Sequence, residues 1–168
     1  MNSIADILDE ELERAKQLII AHIRANGQNA SGKTIASMHV EVDEGGGTIY
    51  GRSPFGTLET GRRGGRVPYN FRSIIRQWMK DKGIKAAPIP YVRAGEHKYT
   101  PEERGEMSLA GAIAHRIAKS GTQLYRLGGR DDVYSNVIPE AVKRIKARLL
   151  ELAAVEASSI KLNNQTIK

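Results

Sequence analysis

Four stretches of this chain repeat their apolar residues every three or four positions, and one stretch alternates apolar with polar. These two periods constrain the fold more than any other feature, because 3.6 buries one face of a helix and 2 buries one face of a strand. The first stripe is Ile4, Leu8, Leu12, Ala15, Ile19 and Ile23. Ser3 followed by Asp6 resembles a capping box, and Asn26-Gly27 supplies a left-handed stop, so the spacing predicts a helix over 4–25. Ile35, Met38, Val40 and Val42 then sit among polar residues, with strict alternation from Met38 to Val42. A glycine-rich turn at Glu44–Gly47 and the extended TIYG after it complete a hairpin over about 35–51, one face covered.

From Gly51 to Val67 the chain is rich in Gly and Arg. A short extended element is expected around Thr57-Leu58-Glu59, then a loop carrying Arg62, Arg63 and Arg66. Pro68 precedes a helix over 70–82 with Asn70 as its cap. Phe71, Ile74, Ile75, Trp78 and Met79 would form its buried face, Arg72, Arg76 and Lys80 its outer face, and Gly83 its end. Residues 84–100 show no period and read as a long basic loop. TPEE at 100–103 opens a helix over 102–119, with Gly105 weakening the first turn and Leu109, Ile113 and Ile117 buried. After Gly121 and the turn LGGRDD, Val133-Tyr134 reads as a short strand. A last helix, 137–153, would bury Val142, Ile145, Leu149 and Leu152 and expose Lys143, Arg144, Lys146 and Arg148. Residues 156–168 read as a polar tail, disordered alone or ordered by a neighbour. The expectation is one α+β domain over 1–155. It holds a small antiparallel sheet, the hairpin plus short strands, flanked by about four helices.

The chain has no cysteine, which removes disulfides, thiolate zinc sites and thiol nucleophiles. No apolar run approaches membrane-spanning length, and the acidic, amphipathic start does not resemble a secretory signal. The expected location is the cytosol or a particle assembled there. The net charge of +7 is unevenly spread. Residues 1–59 carry 5 basic and 9 acidic side chains, residues 60–100 carry 10 and 2, and residues 101–168 carry 11 and 8. Such asymmetry suits a polyanion partner or contact between unlike regions of neighbouring copies.

Gly27–Thr34, GQNASGKT, matches the phosphate-loop pattern letter for letter. A phosphate loop needs a buried strand before it and a helix after it, and here the expected order is inverted. The segment reads instead as a helix stop and a polar turn into the hairpin. The four histidines, His22, His39, His97 and His115, lack metal-ligand spacing, so no metal or cofactor is expected. Glu59 could serve as a general base, but beside Arg62 and Arg63 it reads more economically as a salt-bridged anchor, and no catalytic residue is assigned. The Gly-Arg loop and the Arg-striped helix could neutralise several phosphates, so non-specific nucleic-acid binding is the alternative reading. No finger motif or aromatic stacking platform accompanies them, and Phe71 and Trp78 read as core residues.

One combination is more specific than any single motif. A long N-terminal helix leads to ASGKTIASMHVEV, followed by FGTLETG, then VPYNFRSIIRQWMKDKGI, then LAGAIAHRIAKSGTQLY and a C-terminal helix. In this order the segments resemble the tail-completion and head–tail connector (neck) proteins of tailed bacteriophages. The resemblance spans residues 4–152 and is most specific at 55–61, 68–84 and 109–122. It implies a small α+β protomer that assembles into a ring of six, or of twelve, in the virion. The ring would meet portal, adaptor or tail-tube proteins and surround a passage for DNA, with no enzymatic activity, cofactor or membrane. The residues expected to contact neighbouring subunits or partners are Asp9, Glu10, Glu13, Glu59, Arg62, Arg63, Arg66, Arg72 and Arg76.

Overall fold

The computed structural model describes residues 3–93 and 95–165. The fold class is α+β, as expected, and the chain divides into two units, each with its own core. The first comprises Met1–Asn26, Thr34–Ser53 and Asp131–Lys168; the second comprises Gly27–Lys33 and Pro54–Arg130.

The first unit is built on α1 (Ile4–Ala25). Its N-terminus carries the full capping box: Asp6 N–H donates to Ser3 Oγ at 3.1 Å and Ser3 N–H to Asp6 Oδ2 at 2.8 Å. Gly27, at φ 62°, ends it. Ile7, Ala15, Ile19, Ile20 and Ile23 are buried along one side. After the single turn α2 (Lys33–Ala36), strands β1 (His39–Asp43) and β2 (Gly46–Tyr50) pair antiparallel, from His39 opposite Tyr50 to Asp43 opposite Gly46. The hairpin is thus shorter than expected, because residues 33–36 coil before the alternation begins. It packs on α1 closely at Gly47, where a Cβ would collide with Leu12 Cδ1.

The second unit pairs α4 (Phe71–Asp81) with α5 (Pro101–Ser120). Phe71, Ile75 and Met79, one helical line on α4, close on Ala110 and Ala114 of α5, with Val67, Leu109, Ile113 and Ile117 packed around them. α4 ends in a Schellman motif, Ile84 N–H to Met79 O and Gly83 N–H to Lys80 O, with Gly83 at φ 67°. Thr100 and Glu103 form the second capping box, at the start of α5.

Several expectations are corrected. Thr57–Thr60 is not extended but a single helical turn, α3, following a 3-10 turn at Ser53–Gly56. Val133-Tyr134 lies in a turn, so β1 and β2 are the only strands among the described residues. Ile74 and Trp78 are 44% and 39% exposed rather than buried, and the α4 residues of the core are Phe71, Ile75 and Met79. Short α6 (Gln123–Arg126) precedes the last helix, α7 (Val137–Gln165). α7 runs through most of the expected tail: no Gly or Pro falls between Glu140 and Gln165, and Ala153, Ala154 and Ala157 favour helix. The tail's last three residues lie outside the described residues. α7 is also rotated relative to expectation. Val137 and Ala141 are buried, Val142 is exposed, and Arg144 and Arg148 turn toward α1.

Candidate interaction surface

The Gly-Arg loop is held rather than slack. Gly61 and Gly121 both take left-handed backbone, φ 69° and 78°, and pack against their surroundings too closely for any side chain. A Cβ on Gly121 would lie 2.6 Å from Arg62 O, and one on Gly64 would lie 3.0 Å from Gly121 N. Arg62 N–H donates to Thr122 Oγ1 at 2.9 Å, Thr122 N–H to Arg62 O at 2.9 Å, and Gly65 N–H to Ala118 O at 2.7 Å. The loop is therefore stitched to the C-terminal end of α5.

This stitching separates its arginines. Arg62 folds inward: its Nη2 donates to Arg66 O at 2.8 Å, and its guanidinium lies 5.3 Å over the Phe71 ring. Arg63 and Arg66 are exposed. On α4, Arg72 and Arg76 border a shallow cavity of 210 Å³ with Ser73, Met107 and Ala110. Arg76 Nε is 3.0 Å from Glu106 Oε2, while Arg72 is exposed. Glu59 is 4% exposed, with its backbone carbonyl accepting from Arg130 N–H at 2.9 Å. It is buried, so the structure does not group it with the exposed arginines.

The acidic set falls in the first unit. Asp9 is exposed. Glu10 accepts from Arg148 Nη2 at 2.6 Å, and Glu13 is taken up by Lys16 Nζ at 2.6 Å and Gln17 at 2.9 Å. The residue missed by sequence reasoning is Glu11. It is 6% exposed and accepts from Arg144 Nε at 2.7 Å and Arg148 Nη1 at 3.1 Å. Those bonds, Arg144's foremost, hold its pKa below the ordinary 4.5 despite burial. Two adjacent acids on one long helix and arginines four apart on another were the available signal.

Charge sorts by unit more sharply than by sequence. The second unit carries 16 basic and 6 acidic residues, net +10; the first carries 10 and 13, net −3. The phosphate-loop look-alike belongs to the second unit, where Lys82 Nζ caps the carbonyls of Gly27 and Asn29 and Gln28 Nε2 reaches Leu58 O. The 22-residue helix α1 precedes it, not a strand. Among the described residues no cluster of His, Asp and Glu could hold a metal ion, and no helix is long and apolar enough to cross a membrane. Comparison of the chain with protein-family models, curated proteins and solved structures finds no match.

Proposed function

We propose that this chain is a structural virion protein, a subunit of the head–tail connector or tail-completion ring of a tailed bacteriophage. It would act by geometry: copies repeat around an axis, bridge portal or head to tail, and leave a passage for DNA. The observation that carries this reading is convergence. The three segments with the most specific resemblance, 55–61, 68–84 and 109–122, close on one another in a single unit. α4 packs on α5, and Gly61 and Gly64 lie against Gly121-Thr122. The last two of these segments share one core, and the first is joined to the end of α5 through Gly61. The opposed charges of the two units add support, because a ring is a heterologous assembly in which one surface meets a different one.

The test is composition and competence of the particle. Mass spectrometry of purified phage carrying this gene should find the chain in copy numbers that match a ring. The variant Arg63→Glu with Arg66→Glu should give folded protomer that fails to join heads to tails. Arg62 is left out of that variant because its guanidinium is already engaged by Arg66 O and the Phe71 ring. Finished particles lacking the protein would end this reading. A +10 unit also favours the alternative of a free, basic nucleic-acid-binding protein, which DNA titration separates from it.

A further inference from the structure

α7 is longer than the surface available to it in the first unit. Leu149 and Leu152 are half-buried, but every residue from 153 to 160 is exposed. Leu150 and Ile160 are 72% and 62% exposed. Leu150, Ala153, Ala157 and Ile160 fall at i, i+3, i+7 and i+10, so they form one apolar stripe on one face. Helical segments draw most of their stability from packing such a stripe, and this one packs on nothing in its own unit. Between 149 and 160 the charges are Glu151 and Glu156, with Lys161 next along the helix, so the arm is apolar with a net charge of −1 over 150–161.

The second unit bears a surface of complementary character. Trp78, Ile113, Ile117 and Leu124 line a cavity of 600 Å³, and Arg116 and Arg126 border it, both exposed. A tryptophan open to water among aliphatic side chains and arginines is the composition of an interface centre. The geometry points to the occupant of this groove being the 150–160 arm of α7 from a second copy of the chain. Leu150, Ala153, Ala157 and Ile160 enter it, the two alanines permit close approach, and Glu156, flanking the stripe, faces the arginine border. Arm and groove are different surfaces, so the contact is heterologous, the kind that can propagate from copy to copy around a ring. The inference rests on the ring-subunit reading for its use.

The absence of cysteine gives a clean test in the full chain. Two single-cysteine variants, Ala112→Cys at the groove and Ala157→Cys on the arm, are mixed and oxidised. The expected product is a mixed disulfide dimer, in excess of what either variant forms alone. Glu41→Cys, on the exposed face of β1, replaces the groove variant as control. A yield no greater than this control overturns the proposal. So does dominant pairing of Ala157→Cys with itself, or internal closure in a chain carrying both substitutions. As a second measure, Arg116→Glu with Arg126→Glu should weaken self-association about tenfold, and Glu151→Lys with Glu156→Lys in the same chain should restore it. Unchanged association, or no rescue, counts against it. A failed cross-link would leave the connector reading to other contact surfaces, whereas absence of the chain from phage particles would leave a successful cross-link standing.

Discussion

Glu11 joins α1 to α7. It is a buried carboxylate satisfied by two arginines, and removing it leaves Arg144 half-buried without its partner. Its pKa is lowered in the folded chain, so it contributes stability above its unfolded value of 4.5 and loses that contribution as pH falls through the folded value. Raising the pH has no effect through this group. Glu11→Gln should lower stability by about 1–3 kcal/mol at neutral pH, and it should flatten the loss of stability seen on acidification. Chemical denaturation followed by circular dichroism at about pH 7 and about pH 3.5 measures both quantities. A variant that matches the parent at neutral pH would show that the arginines find equal partners elsewhere.

At the scale of the element, α5 offers a paired contrast. Replacing a helix-interior glycine with alanine ordinarily stabilises by about 0.5–1 kcal/mol. Gly111 should behave so, because a Cβ there meets only the Arg72 side chain, no nearer than Nε at 3.7 Å, an ordinary contact. Gly105 should do the reverse. It is buried, and a Cβ would collide with the Ala87 carbonyl oxygen, backbone that Ile89 N–H anchors to Pro101 O at 2.8 Å. Gly111→Ala is expected to raise the melting temperature and Gly105→Ala to lower it, on the same helix and by the same chemical change. Equal shifts would mean that the 84–90 strand of loop does not lie against α5.

That pair also marks where the sequence can be read and where it cannot. α1 and α5 were legible because their caps are local: Ser3 with Asp6 and Thr100 with Glu103 declare both starts. The hairpin was legible from the alternation Met38–Val42. Gly105 read as a weak opening turn, because the loop that needs its bare backbone is remote from it and carries no period. Trp78 read as core from its place on an apolar stripe. It stands instead at the rim of the cavity lined by Ile113 and Ile117, and helical spacing does not tell the packed line of a stripe from its flank. Arg144 and Arg148 read as solvated; what turned them inward was a carboxylate over a hundred residues away, a long-range pairing that helical spacing does not encode. Among the expected contact residues, Asp9, Glu10, Arg63, Arg66 and Arg72 stand exposed, while Glu59 is buried and Arg62 is half-buried against Arg66 O and the Phe71 ring.

Over the whole molecule, the question is what a +10 unit is for. Several of its cations are committed internally: Arg62 to Arg66 O, Arg76 to Glu106, Lys82 to Gly27 O and Asn29 O, and Arg104 to Ile89 O, Pro90 O and the Tyr91 ring. The exposed ones, among them Lys33, Arg63, Arg72, Lys85, Arg116 and Arg126, are divided among two loops and four helices. A duplex laid along any one element meets few of them. Each neutralised phosphate contributes about −0.9 to the slope of log K against log salt, so the isolated chain should show a slope no steeper than about −4. Binding should be weak and indifferent to sequence, with dissociation constants of about 10⁻⁴–10⁻⁶ M at physiological salt. Anisotropy titration of a labelled duplex at several salt concentrations gives slope and affinity together. A slope of about −6 or steeper with nanomolar binding would mean that the cations act in concert on a polyanion, and the nucleic-acid-binding reading would displace the ring. A shallow slope, with self-association that itself weakens as salt rises, fits cations that await the acidic face of another copy.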